Sequence, residues 1–252
     1  YGFGVTDGAA NYGWANSAVY RSPYTVALAM ASSYPGRGVS QGGYIGGGQA
    51  GYNYQWGQKV VLGFETDMQG AGINGTGNAN GVGPYADGTA RAFFNNNIIK
   101  AGIDWLGTAR GRIGYLITPA LQVYGTGGLA YGNAYLNTFT NASYTQGNGA
   151  ALGLGWDIHG LTTSYASKSQ LLVGYSTGGG GEWMLANNWS IKAEAIYYNL
   201  GTQSVSNMYS DSAPPRPVSG STTTARYDGV IGRAGINYHF DFDRSALVVA
   251  KY

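Results

Sequence analysis

The stretch from Asp104 to Gly132, "DWLGTARGRIGYLITPALQVYGTGGLAYG", decides the fold. Its odd positions up to Ile117 are Trp105, Gly107, Ala109, Gly111, Ile113, Tyr115 and Ile117. Its even positions are Asp104, Leu106, Thr108, Arg110, Arg112, Gly114 and Leu116. Strand side chains alternate between two faces, so this segment has one wholly apolar or small face and one bearing both arginines. After the "TPA" break at Thr118 to Ala120, a second alternation carries no charge at all.

The same parity recurs on both sides. Tyr44, Gly46, Gly48, Ala50, Tyr52, Tyr54 and Trp56 oppose Gln49, Asn53 and Gln55. Glu65 and Asp67 share a face with Val61, against Leu62, Phe64 and Met68. Trp189, Ile191, Ala193, Ala195 and Tyr197 oppose Lys192 and Glu194, and Ile236, Tyr238 and Phe240 oppose Arg233 and His239. Eight period-2 segments result, at about 24–34, 41–56, 59–73, 103–117, 121–136, 169–185, 188–203 and 225–240.

The connections sort by length. Tight turns follow Trp56, Ile117 and Leu185, while Asn74–Gly102, Asn137–Lys168 and Ser204–Thr224 are long. In an up-and-down meander this puts every short turn at one end and every long loop at the other. The expected architecture is therefore all-β: an eight-stranded antiparallel up-and-down transmembrane β-barrel with short periplasmic turns and long extracellular loops. The barrel spans 24–240, with an N-terminal periplasmic extension at 1–23 and a C-terminal extension at 241–252. A soluble β-sandwich shares the periodicity but does not sort its loops this way.

Aromatic residues crowd the segment ends. Tyr54, Trp56, Tyr115, Trp183, Trp189 and Phe240 lie beside the tight turns, and Trp105, Tyr131 and Tyr197 at the opposite ends. These are the expected interfacial girdles. The charged face is then the lumen, which an eight-stranded barrel fills with side chains. There Glu65, Asp67 and Glu194 meet Arg110, Arg112, Lys192 and Arg233, three negative against four positive. A plug of cross-strand ion pairs and an ion-selective pore both fit that set, and the near balance favours the plug.

Composition narrows the rest. Charged residues are 10% of the 252, against about 25% in ordinary soluble proteins. The net charge is +2 with no basic run, so nothing points to nucleic acid. With no cysteine there is no disulfide, thiol nucleophile or thiolate metal site. No apolar run reaches the length of a membrane helix. The chain opens on Tyr1 without a signal-peptide pattern and reads as a mature, processed form. The two histidines, His159 and His239, fall far apart in this topology, so no shared metal site, no cofactor and no catalytic constellation is expected.

Taken together, "GQAGYNYQWG", "VLGFETDMQG", "DWLGTARGRIGY", "YGTGGLAYG", "NNWSIKAEAIYYNLG" and "RAGINYHF" resemble the small outer-membrane β-barrel proteins of alphaproteobacteria, the OmpA-like porin or outer-membrane immunogenic protein family. The likeness runs from Gln41 to Phe240. It implies an eight-stranded barrel in a Gram-negative outer membrane, loops extracellular and both termini periplasmic. It also implies surface-antigen and envelope-integrity roles, and hemin binding in some members. A hemin receptor would draw on His159 as iron ligand and Trp156 as stacking partner. The tail "DFDRSALVVAKY" departs from the family, whose members end at the aromatic closing the last strand. The expected function is a structural surface protein, not an enzyme, with narrow porin and hemin receptor as alternatives. Its expected partners are outer-membrane lipid and lipopolysaccharide, with copies of itself in a homo-oligomer or lateral array.

Overall fold

The computed structural model describes residues 8–10, 39–84, 92–146, 157–186, 188–212 and 215–240. Among them are β1 (Gly8–Ala10), β2 (Val39–Gln41), β3 (Ile45–Trp56), β4 (Val60–Pro84) and β5 (Ala92–Thr118). Then come β6 (Leu121–Gln146), β7 (Asp157–Ala186), β8 (Trp189–Ser212) and β9 (Pro215–Tyr238). β3 to β9 form one antiparallel sheet in chain order. β2 leads into β3 past a Gly42–Asn74 bridge, so the two occupy one place in the ring. β1 pairs antiparallel with β2 and lies beside β9 on its other edge, which gives eight antiparallel places. Lower down the edges approach through side chains: Gln49 Nε2 donates to Asn237 Oδ1 at 2.8 Å. The protein is an all-β antiparallel up-and-down barrel.

The turns explain the meander. Gly57 at φ 71° and Asn188 at φ 70° take the left-handed conformation that reverses the chain between β3 and β4 and between β7 and β8. Thr118 Oγ1 accepts the Leu121 amide at 3.0 Å and closes the β5–β6 turn.

Two expectations change. The first strand, expected at 24–34, lies outside the described residues. The described part of the N-terminal extension, Gly8–Ala10, pairs in register Gly8↔Gln41 at the long-connection end, rather than lying beside the tight turns. This backbone pairing covers one edge of β2. The second change concerns the long connections. Residues 74–84 pair with 92–102, 137–146 with 157–167, and 202–212 with 215–226, so these connections are mostly strand.

They escaped the parity reading because bulges interrupt it. Among the register shifts are those at Gly70/Ile73, Ile103/Trp105 and Asn199/Thr202, where the assigned segments meet the long connections. On β5 the buried side switches from even (Leu106, Thr108, Arg110, Arg112) to odd (Asn97, Ile99, Ala101, Ile103) across the bulge. β8 switches from Tyr198 and Leu200 to Gln203 and Asn207 at Gly201, whose φ is +84° and whose amide donates to Asn199 Oδ1 at 2.8 Å.

Strand lengths show where the membrane ends. Tyr115 and Trp105 are ten positions apart on β5, about 33 Å along a strand and about 25 Å along the normal at the usual tilt, the height of an outer-membrane barrel's apolar band. β5 is 27 residues long, so nearly half of it projects past Trp105. There β7 and β8 part after Tyr175↔Asn199. The β8–β9 hairpin leans onto β6: Tyr227 Oη donates to the Tyr135 carbonyl at 2.7 Å, and Thr138 Oγ1 to Asn207 Oδ1 at 3.0 Å. The space between them is filled by Ile99, Ile103, Leu136, Tyr198, Leu200 and Tyr227. The interior thus has three layers: charged near the tight turns, apolar above, and amide and hydroxyl at the far end.

Candidate functional site

The charged layer is built by parity and register. Glu65 stands opposite Arg110 across β4–β5, Glu194 opposite Arg233 across β8–β9, and Glu182 opposite Lys192 across β7–β8. Arg110, fully buried, is at the centre. Its Nη2 lies 2.6 Å from Glu65 and 3.1 Å from Asp67, and its Nη1 3.3 Å from Glu194 and 3.0 Å from Thr126 Oγ1. Arg233 spans Asp67 at 2.8 Å and Glu194 at 2.6 Å. Lys192 reaches Glu194 at 2.8 Å and Glu65 at 3.6 Å. Arg112 pairs with Glu182, approaches Glu65 at 3.8 Å, and stacks 3.7 Å above the Tyr124 ring. Thr108 and Gln69 donate to Asp67 at 2.7 and 2.9 Å.

All seven lumenal residues read from the sequence are therefore in one cluster. The parity reading missed Glu182. It stands in "STGGGGEWM", where the glycines carry no polarity contrast, although Leu172 and Ser176 on the same parity are buried too. With it the layer holds four carboxylates and four cations, none more than 8% exposed. An unpaired charge there would cost several kcal/mol, and the pairing offsets that cost. Of the surrounding polar groups, Tyr124 and Thr126 are buried in the network, whereas Gln49 serves the β3–β9 seam and Asn53 is exposed.

The structure also joins residues that sequence reasoning kept apart. Ser190 Oγ lies 2.9 Å from His239 Nε2 and donates to Glu182 Oε1 at 2.6 Å, while Asn237 donates to the same oxygen at 2.8 Å. This is not a nucleophile–base–acid relay. Glu182 approaches the same histidine nitrogen, at 3.2 Å, rather than the opposite one, and Ser190 is fully buried. Trp156 lies outside the described residues. His159 is on β7 with its backbone paired to Tyr144, remote from His239.

The aromatic belts face outward. At the tight turns Tyr54, Trp56, Tyr115, Trp183, Trp189 and Phe240 are all exposed. Tyr238, not assigned from the sequence, joins them, 5.1 Å from Trp189 and 4.8 Å from Phe240, centroid to centroid. At the other level Trp105 meets Tyr131 at 6.1 Å, and Tyr197 meets Tyr175 at 6.2 Å. Between the belts Leu62, Phe64, Met68, Ile113 and Leu129 turn outward, as a lipid-facing band requires.

Known proteins resemble the chain in sequence. The chain is 35% identical over 202 residues, 80% of its length and 68% of the relative's, to the 31 kDa outer-membrane immunogenic protein of Brucella melitensis, with the same figures for its Brucella suis counterpart. It is 27% identical over 180 residues to the 22 kDa outer membrane protein of Rhizobium leguminosarum, covering 66% of this chain and 62% of that one. No family model matches. A looser likeness joins it to Ail, the attachment invasion locus protein of Yersinia pestis, with TM-score 0.31 and 11% identity over 92% of this chain and 97% of that chain. With lumen, belts and relatives in agreement, the chain belongs to the outer-membrane immunogenic protein family, and it is an outer-membrane β-barrel protein.

Proposed function

We propose that the protein is a sealed structural barrel, whose lumen passes no solute and whose projecting end supports the envelope and meets the cell's surroundings. The observation that carries this reading is the balanced network of four buried carboxylates and four buried cations across the lumen. The apolar layer of Ile99, Ile103, Leu136, Tyr198 and Leu200 lies in series with it and supports the same reading. In this reading the projecting strands face outward and the tight turns face the periplasm, as the contrast in connection length favours.

Single-channel recording of the purified protein in planar bilayers tests the seal. No steady current is expected, and a stable ion-selective current would make the protein a narrow porin. Orientation has its own test, because the native chain has no cysteine. A Thr163→Cys variant on the projecting part of β7 should react with an impermeant maleimide on intact cells; labelling only after the outer membrane is opened would reverse the orientation.

A further inference from the structure

Above the Trp105–Tyr131 level, β5, β6 and β7 present an outward face organised in aligned rows. Ile98, Phe139 and Tyr165 stand side by side in register, and Lys100, Asn137 and Ser167 form the next row down. Below these Tyr135 lies over Gly102, where an added Cβ would meet the tyrosine hydroxyl at 2.5 Å. Aromatic and polar rungs therefore alternate along one flat surface. Phe139 is 37% and Tyr165 65% exposed, although they sit eight positions past the belt, about 20 Å beyond the apolar band at the usual rise and tilt. Lipid tails do not reach that height, so these rings are not there to anchor the barrel in hydrocarbon.

We propose that this strip binds the sugar headgroup of a phosphorylated glycolipid in the same leaflet. Three features select that occupant. The strip is continuous with the interfacial belt: Asn133, two positions from Tyr131 on the same face, donates to Asp104 beside Trp105 at 2.9 Å and to Ser169 Oγ at 3.0 Å. Its chemistry is that of saccharide recognition, with aromatic faces for the C–H side of a sugar ring and amide and hydroxyl groups for its hydroxyls; Ser167 donates to Asn137 Oδ1 at 2.6 Å and sets that amide's orientation. Its charge is complementary, since the two upper rows hold Lys100 and no carboxylate, as a sugar phosphate requires. The inference rests on reading the projecting end as the outer face.

Hydroxyl-radical footprinting tests it, because that method reads side-chain exposure directly. The full chain is placed in phosphatidylethanolamine and phosphatidylglycerol vesicles that contain rough lipopolysaccharide, lipid A alone, or neither, with glycolipid in both leaflets. Oxidation of Phe139 and Tyr165 should fall about fivefold with rough lipopolysaccharide only, while Tyr52 in the lipid band stays unchanged. Lys100→Ala with Asn137→Ala should restore the oxidation. Equal rates in all vesicles, or protection by lipid A alone, would overturn the proposal. So would equal protection by free core oligosaccharide added to the detergent-solubilised protein, which would make the occupant a soluble sugar. A Phe139→Ser/Tyr165→Ser variant should retain less glycolipid than the parent in native mass spectrometry, and equal retention counts against the strip. Glycolipid in both leaflets makes these results independent of orientation, so failure here is distinct from failure of the maleimide test.

Discussion

Arg110 shows how one side chain organises the lumen. Its guanidinium serves Glu65, Asp67 and Glu194 on two different strands, and no lysine has the donor geometry to do the same. Arg110→Met should destabilise the barrel by about 3–5 kcal/mol, measured from unfolding midpoints in urea, because it leaves buried carboxylates short of a cation. Adding Glu194→Gln should recover part of that loss, since charge balance returns. A double variant no more stable than the single one would mean that hydrogen-bond geometry, not charge balance, holds the layer. The lumenal charges were legible because period-2 polarity is strongest where charge meets Gly, Ala and Ile. Glu182 was not, because Gly178 to Gly181 before it have no side chains to announce a face.

At the scale of elements, the seven strands from β3 to β9 were found and their extent was not. The tight-turn halves alternate apolar with charged, and there the reading and the structure agree within a few residues. The projecting halves of β4, β8 and β9 mix Gly, Asn, Thr and Ser, and on β5 and β8 the parity reverses at the bulge. No single phase runs from one end of β5 or β8 to the other. The bulges are features of the fold, which two glycines illustrate. A Cβ at Gly201 or Gly232 would meet nothing within 4 Å, yet only Gly201 has a left-handed φ, at +84°. Gly201→Ala should therefore cost about 1–2 kcal/mol, and Gly232→Ala close to nothing. Equal effects would mean that the β8 bulge tolerates an ordinary backbone.

Over the whole molecule, the charged and apolar layers stand in series in the sealed-barrel proposal. Arg110→Ala combined with Arg112→Ala opens space in the charged layer only, while Ile99, Ile103, Leu136 and Tyr198 remain packed above it. Planar-bilayer recordings of that double variant should stay silent, and steady current should appear only when Ile103→Ser and Leu136→Ser are added. Steady current from the arginine variant alone would show that the apolar layer is no barrier. That layer was out of reach of sequence reasoning: Ile99 comes from a stretch assigned as a loop, and nothing in the assigned strands that hold Ile103, Leu136 and Tyr198 marks their packing against one another. They become neighbours only when the β8–β9 hairpin leans across the lumen onto β6.

The distribution of lumenal charge bears on how such a barrel enters a membrane. β4 and β5 together carry Glu65, Asp67, Arg110 and Arg112; β7, β8 and β9 together carry Glu182, Lys192, Glu194 and Arg233; β6 between them carries none. Each block is neutral by itself. The links Arg110–Glu194, Arg112–Glu182, Lys192–Glu65 and Arg233–Asp67 nevertheless all run from one block to the other. A half-inserted chain therefore carries no net lumenal charge in either block, and ring closure adds distant partners to the local pairs Arg110–Glu65, Lys192–Glu194 and Arg233–Glu194, which persist. Electrostatics then favours the closed cylinder over the open sheet at the last stage of assembly, when the hydrophobic gain from insertion is already complete.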